Sequence, residues 1–134
     1  MNTTYFLNLV AGNVFKTKTN PAIPAAYYLG LSTTAPSADG SNVTEVSGGS
    51  YARIALAGNL SLSANSSGVV TNNKAISFPQ STASWGTVTH FLIYDAQTGG
   101  NLLMYGALDP QRTMDSGVRL TINQGDLQLR VSNP

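Results

Sequence analysis

The run Trp85–Asp95, WGTVTHFLIYD, holds the only Trp and the only His of the chain. Whether it is a strand or the seat of a catalytic base decides the fold. Its odd positions from 87 are Thr87, Thr89, Phe91 and Ile93, and its even positions are Val88, His90, Leu92 and Tyr94. β-Branched and aromatic residues of this kind favour the pleated, packed environment of a sheet. Both faces carry large apolar residues toward the C-terminal end, which predicts a central strand covered on both sides.

Working outward, DAQTGG turns the chain back, with Gly99 and Gly100 available for positive φ, into NLLMYGAL (Asn101–Leu108) as the antiparallel partner. Farther on, VRLTI and DLQLRV flank NQG and predict a second hairpin. In it Val118, Leu120, Ile122, Leu127, Leu129 and Val131 face the core, and Arg119, Gln128 and Arg130 face out. Upstream, LSLSA, GVVTN and KAISFP are short strands, the last stopped by Pro79. YARIALA (Tyr51–Ala57) sets Tyr51, Arg53 and Ala55 against Ala52, Ile54 and Leu56, as a half-buried strand does. AAYYLGLST (Ala25–Thr33) is a further strand, and the polar run TAPSADGSNVTEVSGGS after it is a long loop of the kind used for function or as an interface arm.

Before the first proline the pattern changes. Tyr5, Phe6, Leu9, Val10 and Val14 fall at helical spacing, with Asn2, Thr3 or Thr4 as the N-cap, and TNPAIP ends the helix. Many short strands behind one helix predict an all-β chain: an antiparallel β-sandwich or jelly roll with one N-terminal α-helix. The expected organisation is a single domain over 1–134, with a helical arm at 1–19 and the sandwich at 25–132. The length of 134 residues suits one core without staples.

Only 10% of residues are charged, seven basic against six acidic, for a net charge of +1. With 42% hydrophobic residues the chain is not disordered, and its polar surface must come from Ser, Thr, Asn and Gln. Beyond Lys16 and Lys18 there is no basic cluster, so nucleic acid and anionic membranes are not expected partners. The opening MNTTYFLNLVAGNVF is interrupted by Asn8, Gly12 and Asn13 and reads as neither a signal peptide nor a bilayer span. The absence of cysteine removes disulfides, thiolate nucleophiles and Cys-based zinc sites together.

Tests for chemistry favour structure. His90 as a general base needs a nucleophile and an orienting carboxylate, yet no G-x-S-x-G elbow exists, so it is expected to be a packed strand histidine or a contact between subunits. Asp39, Glu45, Asp95, Asp109, Asp115 and Asp126 lie mostly beside turn residues, where acids cap or turn the backbone. Asp39, Asn42 and Glu45 could gather oxygens for calcium, but the loop lacks EF-hand spacing. One His without Cys closes no tetrahedral zinc shell. SGG (Ser47–Gly49) and TGG (Thr98–Gly100) are turns rather than phosphate cradles. The sequons at Asn2, Asn42, Asn59 and Asn65 are what chance gives in such a chain. Tyr27, Tyr28, Tyr51, Trp85, Tyr94 and Tyr105 could build a sugar platform, although burial in strands is the plainer expectation. The sequence thus predicts no catalytic residue, no cofactor and no metal.

TEVSGGSYARIAL, ISFPQSTASWGTVTHFLIYDAQTGGNLLMYGAL and DLQL together resemble a family of short tailed-bacteriophage virion proteins, of the tail-fibre or head-decoration type. In that pattern an E-V-S-G-G-x-Y-A-R strand leads to F-P-x-x-T-x-x-W-G-T-V-T-H-F and then to a D-A-x-x-G-G-N-L-L hairpin. The resemblance covers roughly residues 27–131 and implies that Trp85, Gly86 and His90 hold the fold. It implies a non-enzymatic virion protein, assembled in the bacterial host cytoplasm. Its expected role is that of a capsid decoration (cement) protein or a small tail-fibre-type component acting by symmetric protein–protein contacts. Expected partners are other copies of itself as a homo-oligomer and the major capsid or tail proteins. Tyr5, Phe6, Leu9, Val10 and Val14 are the candidate contact residues. The alternative is a receptor-binding or carbohydrate-binding module that meets a host-surface glycan.

Overall fold

The computed structural model describes residues 1–15, 24–62 and 69–130. Its helix α1 is Thr4–Phe15; the strands are β1 (Tyr28–Ser32), β2 (Ile54–Ala55), β3 (Leu60–Leu62), β4 (Val69–Asn72), β5 (Ile76–Ser77), β6 (Gly86–Tyr94), β7 (Leu102–Met114), β8 (Thr121–Ile122) and β9 (Gln128–Arg130). They form a four-stranded sheet β2-β1-β6-β7, a three-stranded sheet β3-β4-β9 and a pair β5-β8, every pairing antiparallel. The fold is an all-β sandwich with one N-terminal helix.

The opening stretch is the inner strand β6, held between β1 and β7. Two faces of burial are visible along it. Val88 and Ile93 belong to the main core, with Phe91 packed against it, while Leu92 and Tyr94 join Leu102 and Tyr105 in a second cluster. The parity changes between Val88 and Phe91, where the register with β7 jumps from Val88–Arg112 to His90–Ala107. A second shift gives β7 one extra residue, Leu103, between the pairs Ile93–Met104 and Tyr94–Leu102. Such a bulge turns neighbouring side chains to one side, and Leu103 and Met104 both enter the main core. That core also takes Leu29 and Leu31 from β1, Ile76 and Ile122 from the β5-β8 pair and Leu129 from β9, so all three sheets share one interior.

Three expectations need correction. The hairpin of VRLTI with DLQLRV does not form: β8 pairs with β5 and β9 pairs with β4. Leu120, Ile122, Leu127 and Leu129 are buried as expected, but each pair of residues faces a different sheet neighbour, and Val118 is exposed. Burial can be satisfied by any strand that offers an apolar face, so alternation alone does not name the partner. YARIALA contributes only Ile54–Ala55 to the sheet, and Arg53 is buried rather than half-exposed. The partner of β6 runs well past Leu108 to Met114. Val131, the end of the predicted sandwich at 131–132, residues 63–64 of LSLSA, Gly68 and residues 16–19 of the arm lie outside the described residues.

Residues 44–46 fold back along β1, with Thr33 N donating to Thr44 O (3.0 Å) and Val46 N to Leu31 O (3.1 Å). The long loop after β1 is therefore drawn against the sheet, and its Val43 packs on the second cluster. The chain then turns through Gly48, Gly49 and Ser50, with φ of 74, 58 and 66°. Consecutive left-handed residues make this tight reversal, and two glycines remove most of its steric cost.

Candidate functional site

The reversal at Gly48–Ser50 brings Glu45 and Arg53 side by side at the edge of β1. Arg53 donates to the carboxylate with both prongs, Nε to Oε2 and Nη2 to Oε1, each at 2.7 Å. Its Nη1 donates to the carbonyls of Ala96 (2.7 Å) and Gly99 (2.8 Å), and the guanidinium lies 3.6 Å from the centre of the Tyr94 ring. Tyr51 donates its hydroxyl hydrogen to Glu45 Oε2 (2.7 Å) and accepts from Leu31 N (3.0 Å). Burial pushes the Glu45 carboxyl up, but hydrogen bonds from Arg53 and Tyr51 and the Arg53 charge outweigh it and hold the carboxyl below its usual range. Burial and the neighbouring carboxylate push the Tyr51 hydroxyl far up, so it stays a donor.

An aromatic group extends this network inward. Tyr51 meets Trp85 edge to face at 5.4 Å and stacks on Phe78 at 6.3 Å, and Trp85 Nε1 donates to Gly49 O at 2.9 Å. The glycines of the turn, the Tyr-x-Arg pair and the Trp thus form one connected body. The sequence did not signal the ion pair, because Arg53 fitted a strand alternation and Glu45 fitted a loop ligand. The available signal was two opposite charges flanking a Gly-Gly turn in a chain with very few charges.

The other polar candidates are similarly engaged. Asp39 Oδ1 accepts from Ser41 N (2.9 Å) and Ser41 Oγ (2.6 Å), which hold its carboxyl below the ordinary range. Asn42 donates to Ser37 Oγ at 2.7 Å. Asp39, Asn42 and Glu45 therefore spend their side chains on separate partners, and among the described residues no cluster of three or more His and acidic side chains forms a metal shell. Asp95 accepts from Asn101 N (2.7 Å) and Asn101 Nδ2 (3.1 Å) and closes the β6–β7 turn. His90 is half-buried, its Nδ1 2.8 Å from Thr89 Oγ1, and burial draws its pKa down. Of the aromatic residues, Trp85, Tyr94 and Tyr105 are buried, and Tyr27, Tyr28 and Tyr51 are half-buried.

The N-terminal segment is the remaining candidate. Thr3 is the N-cap of α1: its Oγ1 accepts from Phe6 N (3.2 Å) and donates to the carbonyls of Leu102 (2.8 Å) and Leu103 (3.0 Å). The N-terminal amine of Met1 donates to Tyr105 O, Thr3 N donates to Leu103 O, and Asn2 bridges Met104, so this segment lies along the start of β7. Of the five residues picked by helical spacing, Leu9 is buried, Tyr5 and Phe6 pack on the core, Val10 is half-buried, and Val14 is 63% exposed. Phe15, which the spacing did not select, is 78% exposed. Spacing finds most of the face turned to the fold but also Val14, and the exposed side of the same helix carries Leu7, Ala11, Val14 and Phe15 beside Thr4 and Asn8.

The family model described as podophage GP4 fiber I protein gp80 matches residues 2–130, from the capped N-terminus to the end of β9. The chain belongs to this family. No curated protein matches it. As a member of the gp80 fibre family it is a virion structural component of a bacteriophage. The motif residues of this fibre protein, Glu45, Gly49, Tyr51, Arg53 and Trp85, are joined to one another by hydrogen bonds and ring contacts, and Glu45, Tyr51 and Arg53 also line an open surface hollow with Gln97, Thr98 and Gly99.

Proposed function

We propose that this fibre-family protein acts without catalysis, through symmetric contacts between its own copies and with the head or tail proteins of the particle, assembled in the host cytoplasm. The observation that carries the reading is where apolar surface is left over. Among the described residues the exposed large hydrophobic side chains are Met1, Leu7, Val14, Phe15 and Val118, and all but Val118 lie in the first fifteen residues. Scattered single exposures are ordinary, but apolar exposure gathered on one element is what protein contact surfaces show. Asp39 and Asp95 are engaged in turns, Glu45 in the Arg53 pair and His90 with Thr89 inside β6, which supports the non-enzymatic reading.

Weak contacts repeated by symmetry add through effective concentration, which suits a protein present in many copies on one particle. The test is the mass of the purified chain by light scattering, alone and with heads or tails from phage that lack it. The expected result is a defined oligomer that binds one of the two saturably. Binding to heads that raises their resistance to heat or chelator assigns the capsid-decoration role, and binding to tails assigns the fibre role. A monomer that binds neither overturns the proposal, and retention on a glycan array would then favour receptor recognition.

A further inference from the structure

The hollow beside the Glu45–Arg53 pair has a volume of about 330 Å³ and is walled by that pair, by Val46, Tyr51 and Ala52, and by the β6–β7 turn at Gln97 and Thr98. A concave site of this size, with apolar wall and a few convergent polar groups, is what a small ligand requires. The hydrogen bonds of the pair do not use up its groups. Of the five N–H hydrogens of Arg53, the one on Nε goes to Glu45, the two on Nη1 go to the Ala96 and Gly99 carbonyls, and one on Nη2 goes to Glu45. The second hydrogen of Nη2 has no partner among the described residues. Glu45 Oε2 accepts from both Tyr51 and Arg53, whereas Oε1 accepts once and keeps a lone pair. Nη2 and Oε1 are 2.7 Å apart, so a spare donor and a spare acceptor stand side by side on the wall.

Both groups are held in place before any ligand arrives. The Arg53 side chain is 6% exposed and its guanidinium lies over the Tyr94 ring. Groups fixed in this way lose little freedom on binding.

Charge narrows the ligand class. Among the described residues, Glu45 and Arg53 are the charged side chains of the wall, and each offsets the other, so the carboxylate opposes an anion and the guanidinium opposes a cation. The match is a neutral molecule that offers an acceptor next to a donor. Two hydroxyls on adjacent carbons of a sugar ring do this: the oxygen of one accepts from Nη2 and the hydrogen of the other goes to Oε1. Ser47, Gln97 and Thr98 are exposed around the pair and spend no side-chain hydrogen bond within the described chain, which leaves them for further hydroxyls. Val46, Ala52 and the Tyr51 ring supply apolar wall for the C–H side of the sugar.

We infer that this hollow is a binding site for a neutral sugar, gripped through two adjacent hydroxyls by Arg53 Nη2 and Glu45 Oε1. It adds recognition of a small ligand to the contacts between copies and does not depend on them.

The test is a titration of the isotope-labelled full chain with glucose, galactose, mannose and N-acetylglucosamine, one at a time, followed by NMR at the backbone amides of Ser47, Gly48, Thr98 and Gly99. Glucuronic acid and glucosamine are the charged counterparts. Arg53 and Glu45 hold the fold, so the variants are Gln97→Ala and Thr98→Ala at exposed positions, with Gln111→Ala on β7 as a control. The expected result is saturable shifts at these amides with at least one of the neutral sugars and weaker binding of its charged counterparts. Gln97→Ala or Thr98→Ala should weaken binding by roughly two- to tenfold, the worth of one hydrogen bond, and Gln111→Ala should leave it unchanged. No saturable shift with any of the neutral sugars, shifts confined to other parts of the chain, or binding that neither variant weakens overturns the site. Tighter binding of glucuronic acid or glucosamine than of glucose overturns the neutral class.

Discussion

Glu45 and Arg53 meet across a Gly-Gly reversal in a two-pronged ion pair, both nitrogen–oxygen distances 2.7 Å, with the Arg53 side chain 6% exposed. The pair joins three otherwise separate pieces: the folded-back loop, the approach to β2 and the β6–β7 turn, whose Ala96 and Gly99 carbonyls Arg53 also holds. Removing Arg53 leaves the half-buried Glu45 carboxylate without its charged donor, at a cost of about 1.5–3 kcal/mol. Arg53→Met is expected to lose stability on that scale in urea unfolding, and Arg53→Lys to recover only part of it because an ammonium lacks the fork. A loss below about 1 kcal/mol for Arg53→Met would show that the pair is incidental.

The same pair sets an acid limit. The Glu45 carboxyl is held below its ordinary value of 4.5 in the folded chain, so the unfolded chain binds the proton more readily. Its contribution is complete above about pH 4.5 and is lost as the pH falls through the folded value. Thermal midpoints of the wild type should fall across this acid window, and Glu45→Gln should flatten that part of the profile while lowering stability at neutral pH. An unchanged acid slope in Glu45→Gln would assign the acid sensitivity to other groups.

His90 acts in a second and higher window. Burial favours its neutral form, so the stability it contributes is present above its ordinary pKa of about 6.5 and declines as the pH falls through the lower folded value. His90→Gln is expected to lie within about 0.5 kcal/mol of wild type at pH 8, as a half-buried strand position does, and to lack the decline just below neutrality. A large loss at pH 8 would mean that the imidazole holds more than its 2.8 Å contact with Thr89.

Asn72, 1% exposed, joins β4 to the chain beyond β8. Its Oδ1 accepts from Leu127 N (3.0 Å), and its Nδ2 donates to the carbonyls of Lys74 (2.8 Å) and Asn123 (2.9 Å). Asn72→Ala leaves these groups without partners inside the protein and should cost about 2–3 kcal/mol. Amide exchange at Leu127 should accelerate with it, and an unchanged rate there would place the effect elsewhere.

Gly106 lies against Phe91, and a Cβ built on it would come 2.4 Å from a ring carbon. Gly106→Ala is expected to cost about 1–3 kcal/mol by overpacking. Because the clash is with one ring, Phe91→Leu in the same chain should return part of the loss, giving a coupling above about 0.5 kcal/mol in a double-mutant cycle. Additive losses would mean that the backbone of β7 has moved instead.

Local patterns carried much of the fold because they reflect local physics. β6 and its β7 partner were legible from two-residue alternation and the paired glycines of the turn, and α1 from its helical spacing and a Thr cap. The pairing of β8 and β9 was not legible, since Leu120, Ile122, Leu127 and Leu129 say that a face is buried without saying which strand buries it. Helical spacing picked out Leu9 and Phe6, which the fold covers, and Val14, which it leaves exposed, and passed over Leu7 and Phe15, which are exposed as well.

The sequence by itself determined the all-β class, the helix, the central strand and the low charge, because side-chain period, turn chemistry and composition act over a few residues and need no knowledge of the rest. Only the tertiary structure decided that Glu45 and Arg53 form a half-buried pair, that β5 and β4 receive the last two strands, and that Leu7, Val14 and Phe15 of α1 stay exposed. Each of these depends on which distant segment supplies the matching surface. That choice is made by the whole chain when it closes round one core.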